Sequence, residues 1–343
     1  MAVSGHLADR TVVRWGIIGC GDVTEVKSGP GFRKAEGSRL VAVMRRHGEL
    51  AADYARRHGV ARWYDRADAL VGDPEIDAVY IATPPDTHAE YAEMVAAAGK
   101  PAYVEKPMAR HLPECDRMIA AFARARLPLF VAYYRRRLPG FVKVEELVRS
   151  GALGRVTGAT YRLAEPHHLR GPQWRTDPAV AGAGHFLDVG SHALDLLDFF
   201  LGPLSDVAGT AARTAGGRGV EDQVALSFRA GGAAGSVACN FASAVRDDRM
   251  RITGTEGEVS FPVFRSEPLR LESAAGVREF DLPYPPHVGQ PMIQSVVDDL
   301  LGRGACPSTG ESARRTSAVM DLVLAKYYGG RDDAFWARAP SGT

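Results

Sequence analysis

Up to about residue 134 the chain alternates short, unbroken apolar runs with longer stretches whose apolar residues recur every three to four positions. Val12–Ile18, Leu40–Met44, Ala78–Ala82, Pro101–Val104 and Leu129–Ala132 are too short for helices and carry no polar alternation. They predict five strands buried on both faces. The periodic stretches Glu49–His58, His88–Ala98 and Pro113–Arg126 predict the helices between them. Strict strand–helix alternation implies right-handed β-α-β units and a parallel, doubly wound sheet. Beyond Tyr133 the rhythm changes. A helix over Pro139–Arg149 is followed by strand-like runs at Val156–Leu163, Asp206–Thr214, Val224–Phe228, Gly235–Phe241, Arg249–Thr253, Glu258–Phe261 and Leu269–Glu272. Their glycine-rich turns predict an open, mostly antiparallel sheet. One apolar helix, His185–Phe200, interrupts it, and helices over Pro291–Leu301 and Glu311–Tyr328 close the chain. The fold class expected is α/β over 11–134 and α+β over 135–330.

Composition narrows the class of partner. The 343 residues suit two domains, at roughly 150 residues each. Forty-two basic residues against 41 acidic ones leave a formal charge of +1, with no basic stripe, which sets nucleic acid aside. No apolar run approaches membrane-spanning length, and the first ten residues lack a leader pattern. Cys20, Cys115, Cys239 and Cys306 are far apart with no metal-ligand spacing, so no metal site is expected and a reducing, cytoplasmic setting is. The cations are lopsided: lysine occurs only at 27, 34, 100, 106, 143 and 326, and arginine supplies the rest. In such a chain a lysine in a suggestive place stands where a guanidinium would not serve.

Three motifs carry candidate chemistry. Gly19-Cys20-Gly21-Asp22-Val23-Thr24 closes the first strand, and its two glycines allow a tight turn against a pyrophosphate. Thr24 stands where the third glycine of the dinucleotide fingerprint belongs. The second strand runs out as Met44-Arg45-Arg46-His47, two cations where a carboxylate for a ribose 2′-hydroxyl is usual. That pattern suits a 2′-phosphate and favours NADP(H), with NAD(H) as the other possibility. Glu105-Lys106-Pro107 ends the fourth strand, at the sheet edge where ligands of open parallel sheets bind, and a lysine there can polarise a carbonyl or hydroxyl oxygen. Asp188 and His192 stand four apart on the apolar helix, a spacing that suits an acid/base pair. Asp195 and Asp198 lie within helical reach of them as surface or supporting residues, and His167 and His168 fall in a loop as candidate substrate contacts.

These features, in this order, resemble the Gfo/Idh/MocA oxidoreductase family. The resemblance runs from Arg14 to about Tyr328 and takes in W-G-I-I-G-C-G, Thr83-Pro84-Pro85-Asp86-Thr87-His88, A-G-K-P-A-Y-V-E-K-P, Gly151-Ala152-Leu153-Gly154, Trp174-Arg175 and the stretch around D-V-G-S-H. It implies a Rossmann dinucleotide-binding domain followed by a substrate-binding domain whose open sheet serves homodimer or homotetramer contacts. It implies that Lys106, Asp188 and His192 surround the reacting carbon. His192 would exchange the hydroxyl proton, Lys106 would polarise the same oxygen, and Asp188 would orient His192. Cofactor contacts are implied at Gly19, Cys20, Gly21, Asp22, Val23, Arg45, Arg46, Thr83, Pro84, His88, Glu105, Lys106, Trp174 and Arg175. Substrate contacts are implied at Tyr134, Arg135, His168, Asp188 and His192, with Tyr133 and Tyr134 walling the pocket. The reading is an NAD(P)-dependent oxidoreductase acting on a hydroxyl or keto carbon of a sugar, polyol or related small molecule. Relatives that retain the cofactor and break glycosidic bonds or exchange oxidation state between sugars, and non-catalytic sensors, are the alternatives.

Overall fold

A computed structural model describes residues 4–166, 173–214 and 219–331. Backbone contacts divide the chain into two units: Met1–Ala109, Pro113–Tyr134 and Pro285–Arg314 make the first, and Arg110–Leu112, Arg135–Tyr284 and Arg315–Thr343 the second.

The first unit is a six-stranded parallel sheet with spatial order β3-β2-β1-β4-β5-β6. Its strands are β1 (Val13–Ile18), β2 (Ser38–Met44), β3 (Arg62–Tyr64), β4 (Ala78–Ile81), β5 (Ala102–Val104) and β6 (Leu129–Val131). This is the doubly wound order in which the chain reverses direction at β1 and ligands meet the carboxyl ends of the strands. The central strands are apolar because helices cover both faces: β1, β4 and β5 carry Ile17, Ile18, Val79, Ile81 and Val104, all fully buried. The helices are α1 (Asp22–Val26), α2 (Gly29–Lys34), α3 (Gly48–His58), α4 (Ala67–Val71), α5 (His88–Ala97) and α6 (Leu112–Ala125). β3, α1, α2 and α4 go beyond the sequence expectation. The three helices and the strand are three to six residues long, too few to set up a periodic pattern.

The second unit is an eight-stranded sheet, ordered β14-β13-β12-β11-β7-β10-β9-β8. The strands are β7 (Val156–Pro166), β8 (Ser205–Ala212), β9 (Gln223–Ala230), β10 (Ala233–Asn240), β11 (Ala242–Gly254), β12 (Gly257–Phe261), β13 (Leu269–Ser273) and β14 (Gly276–Phe280). All neighbours are antiparallel except β7 and β10, which run parallel. One face is apolar and covered by α7 (Pro139–Arg149) and α9 (Ser191–Leu201), with Phe261 of the sheet meeting Phe141 and Phe200 at 5.9 Å. Between them in sequence lies the short α8 (Pro178–Ala181). The other face carries one residue per strand in register, Ala208-Ser227-Ser236-Thr160-Arg251-Ser260-Arg270, small or polar throughout.

Two corrections follow. Pro285–Arg314, expected with the second half, belongs to the first unit: Ile293 of α10 (Gln290–Leu300) lies against Gly31, Gln294 bonds the backbone of Glu36, and Thr309 bridges to Phe130 at the β6 edge. An amphipathic helix shows that it has a buried face but not which core that face joins. The expected single helix over His185–Phe200 begins as a π-helical turn, Phe186–Gly190, before α9 continues it. The last helix is α11 (Gly310–Tyr328). Among the described residues, no helix is long and apolar enough to cross a membrane.

Asp195 and Asp198, read as surface or supporting residues, are buried on α9. Arg136 grips Asp195 with two nitrogens at 2.8 and 2.7 Å and reaches Asp198 at 3.3 Å, and Arg315 grips Asp198 twice at 2.7 Å. Burial pushes the Asp195 carboxyl up to about 6, so it is ionised at neutral pH and rests on Arg136 for compensation. Removing one partner of a buried pair strands the other charge. Arg136→Met is expected to lower unfolding free energy by about 3–5 kcal/mol at pH 7.5 in denaturant titrations. Because the folded-state carboxyl lies above its unfolded value, ionising it costs stability as pH rises through about 6, so the loss shrinks toward pH 5.

Candidate active site

The glycine turn in the first unit is a cradle. Gly19 has φ +91°, and a Cβ there would lie 2.7 Å from the Thr83 side chain and 2.9 Å from the Ala82 backbone. Only glycine lets β1 and β4 end this close together. Gly21 differs: its backbone is extended and a Cβ would meet nothing within 4 Å. The missing side chain leaves open space beside the first turn of α1, where the Asp22 and Val23 amides have no acceptor in the helix. That space and those donors fit a dinucleotide pyrophosphate. Cys20 is buried, and burial pushes its thiol up to about 11, so it packs as a neutral side chain.

Thr24 does not leave the fingerprint incomplete. Its hydroxyl donates to the Gly21 carbonyl at 2.7 Å, and its own carbonyl accepts from the Tyr54 hydroxyl at 2.8 Å. The helix then breaks, and the close approach the third glycine normally supplies occurs at Gly29, where a Cβ would stand 2.0 Å from the Thr24 oxygen. At the end of β2, neither Arg45 nor Arg46 pairs with a carboxylate among the described residues, whereas Arg14, Arg57 and Arg66 all do.

Glu105 and Lys106 follow β5 at the same sheet edge. One Glu105 oxygen accepts from the Tyr80 hydroxyl at 2.5 Å, and the other accepts from the Lys106 backbone amide at 3.1 Å. Tyr80 is fully buried on β4 in a stack with Phe32 (4.9 Å) and Tyr103 (5.1 Å), and burial beside Glu105 drives its phenol upward, so it remains a donor. Thr83 accepts from Thr87 at 2.8 Å, next to Pro84. His88, expected as a cofactor contact, is a strut instead. It is fully buried, with Nδ1 facing the Pro107 and Met108 carbonyls and Nε2 facing the Thr83 carbonyl at 2.8 Å. Burial lowers its pKa, so the neutral ring pins the Thr83 and Pro107 segments together. The T-P-P-D-T-H order marks the position but not which way the ring points. Tyr133 is fully buried in the sheet's core and Tyr134 lies nearly as deep, with the Lys27 ammonium 5.3 Å from its ring centre.

In the second unit the π-helical turn carries Asp188 and leads into His192. Asp188 lies 3.4 Å from Arg175 Nε, and the Arg175 guanidinium stacks over Trp174 at 5.0 Å. Trp174, Arg175 and Asp188 therefore form one cluster. His192 is buried with its ring edge toward Phe264 at 5.9 Å. Arg135 covers the same phenyl ring at 4.4 Å and donates to the Val263 carbonyl at 2.6 Å. Phe264 was not foreseen, since it lies in an irregular loop, and neither was its anchor. Asp248 accepts from the Tyr161 hydroxyl and from the Val263 and Phe264 amides, at 3.1, 2.9 and 2.7 Å. Upstream of the π-turn, buried Glu221 accepts from the Gly184 amide through both oxygens and from the Tyr328 hydroxyl, which fixes the glycine turn. His168 lies outside the described residues.

Two variants separate these roles. Gly29→Ala is expected to lower Tm by several degrees, because its Cβ would meet a backbone oxygen. Gly21→Ala is expected to leave Tm within a degree and to block filling of the cradle. Calorimetric scans with and without added nicotinamide dinucleotide check both. Asp248→Ala leaves three buried donors unsatisfied and is expected to cost about 2–4 kcal/mol in chemical unfolding.

Comparison with known proteins agrees with this architecture. Residues 13–133 match the family described as oxidoreductase family, NAD-binding Rossmann fold, and residues 141–260 match the GFO/IDH/MocA C-terminal domain. The chain is 35% identical over 321 residues to Oxidoreductase P35 of Formosa agariphila, covering 90% of this chain and 98% of that protein. It is 29% identical over 307 residues to 1,5-anhydro-D-fructose reductase of Ensifer adhaerens, covering 87% and 91%. Among solved structures, a levoglucosan dehydrogenase in complex with NADH and levoglucosan superposes with TM-score 0.81 at 24% identity, covering 91% of this chain and 96% of that one.

Proposed function

Because the chain belongs to the Gfo/Idh/MocA oxidoreductase family, a family of nicotinamide-dependent sugar and polyol oxidoreductases, we propose that it acts on a hydroxyl or keto carbon of a carbohydrate-like molecule with NADP(H) as the preferred cofactor. The observation that carries this reading is the sheet edge of the first unit: a glycine cradle where a Cβ at Gly21 would meet nothing, then two arginines after β2 with no carboxylate partner among the described residues, then Lys106 after β5. Gly19, Gly21, Asp22 and Val23 would hold the pyrophosphate, and Arg45 and Arg46 the 2′-phosphate. Thr83, Pro84 and the Glu105–Lys106 corner would border the nicotinamide end. When bound, the cofactor supplies or accepts the hydride.

The chain's own residues handle the proton and the oxygen. Lys106 donates a hydrogen bond to the reacting oxygen, with its backbone fixed by Glu105. His192, walled by Phe264, takes the hydroxyl proton in oxidation and returns it in reduction. Asp188, balanced by Arg175, binds a neighbouring hydroxyl. Trp174, Tyr134 and Arg135 shape the surroundings. The face of the second sheet over β9, β10 and β7, carrying Ser227, Ser236 and Thr160, is the surface we assign to a homodimer or homotetramer, since short side chains let two such faces approach closely. Four free cysteines suit a cytoplasmic setting.

Purified protein given a panel of sugars and polyols should change the absorbance of the reduced nicotinamide. On the best substrate, Lys106→Ala and His192→Ala should each lower kcat/KM by at least about 100-fold. Turnover that survives both changes would remove these residues from the chemistry. The wild type should prefer NADP(H), and replacing Arg45 and Arg46 by alanine should raise KM for NADP(H) while sparing NAD(H). An unchanged ratio would assign the arginines to solvent.

A further inference from the structure

Lys27 and Lys326 differ from three of the chain's other lysines. Lys34 reaches His287 (2.9 Å), Lys100 caps the Asp73 carbonyl (2.6 Å) and Lys143 pairs with Glu146 (2.6 Å). Lys27 is exposed and has no carboxylate or carbonyl partner among the described residues. Its one recorded contact is the face of Tyr134. Its backbone, by contrast, is held from several sides. The Lys27 and Ser28 amides both donate to the Val23 carbonyl at 3.2 Å, and His287 meets the Val26 carbonyl at 3.0 Å. Gly29 is pressed against Thr24, and Gly289 against the Lys27 carbonyl. A chain segment this closely fixed holds the Lys27 cation at one place, over the Tyr134 ring.

What it is presented to follows from topology. Lys27 comes off β1 through the single-turn α1, Lys106 follows β5 by two residues, and Tyr134 follows β6 by three. These strands are parallel, so all three residues lie at the carboxyl edge of one sheet, within one unit. On the β4–β5 side of that edge, Tyr80 donates to Glu105, and Glu105 holds the Lys106 amide. The pyrophosphate cradle lies at the opposite end of α1, so the cofactor's phosphates do not account for Lys27.

We propose that Lys27 recognises a carboxylate on the carbohydrate substrate, so that the enzyme acts on a sugar acid. The inference rests on the oxidoreductase reading above and adds the substrate class to it. A single ammonium over a tyrosine face offers one point charge and an apolar floor. That matches one carboxylate beside the C–H face of a sugar ring. A phosphate calls for more donors than this corner offers.

The test uses the full-length protein saturated with nicotinamide dinucleotide. Hexuronates, their parent hexoses and hexose phosphates are titrated by calorimetry into the wild type, Lys27→Met and Lys27→Arg. The Met variant keeps the stem on Tyr134 and removes the charge. The expected result is a hexuronate bound at least about tenfold tighter than its parent hexose. That ratio should fall toward one in Lys27→Met and be largely kept in Lys27→Arg, with the dinucleotide Kd changed less than about twofold. The proposal is overturned if no hexuronate binds, if a hexose phosphate binds tighter, if Lys27→Met keeps the preference, or if it weakens the dinucleotide instead. Turnover is scored separately. A Lys27-dependent preference without hydride transfer supports the carboxylate site and overturns the oxidoreductase reading.

Discussion

A phenol buried in the middle of an apolar sheet must find an acceptor, and in this protein that requirement organises the reactive edge. Tyr80 stands on β4, fully buried and stacked with Phe32 and Tyr103, so its hydroxyl is removed from bulk solvent. Glu105, at the end of β5, is its acceptor. The cost of leaving that hydroxyl unpaired holds the carboxylate inward. The carboxylate's second oxygen then fixes the backbone of Lys106. A core packing requirement thereby sets the position of the lysine we propose to act on the substrate oxygen.

The same pattern recurs in the second unit with different groups. Asp248 answers three donors and so holds Phe264 against His192 and Arg135. Glu221 answers the Gly184 amide and so fixes the turn that leads into the π-helical start of the His192 segment. Arg136 and Arg315 answer the two buried carboxylates farther along α9. In each case the residue nearest the chemistry is held by a buried polar group whose own desolvation is compensated only in one arrangement. π-helical turns cost hydrogen-bond geometry and concentrate where function requires an offset side chain. Here the turn carries Asp188 toward Arg175.

The local patterns in the chain were enough for the large elements. Five of the six strands of the first sheet, and all but β14 of the second, coincide with runs marked by apolar continuity or alternation. The glycine turn, the arginines after β2 and the Glu-Lys-Pro corner could be read because each is a short motif at a strand end, where a parallel sheet exposes its ligands. Gly29 escaped notice because its role is to leave room for the Thr24 carbonyl, five residues earlier across a helix break, where any Cβ would clash. The motif placed His88 but could not show that its ring meets the Thr83, Pro107 and Met108 carbonyls, because a motif fixes where a ring is and not what it faces.

The sequence by itself determined the two sheets, a parallel one and a mostly antiparallel one, and the family. Period and turn chemistry are local properties, and they survive without knowledge of what lies across the core. The tertiary structure alone decided that Pro285–Arg314 returns to the first unit, that Asp195 and Asp198 are interior charges, that Phe264 shares its ring with His192 and Arg135, and that Lys27 lies over Tyr134 at a tightly held corner. Each of these depends on pairs of residues far apart in the chain. Whether a charge is buried, paired or presented depends on the dielectric and the partners that packing brings to it.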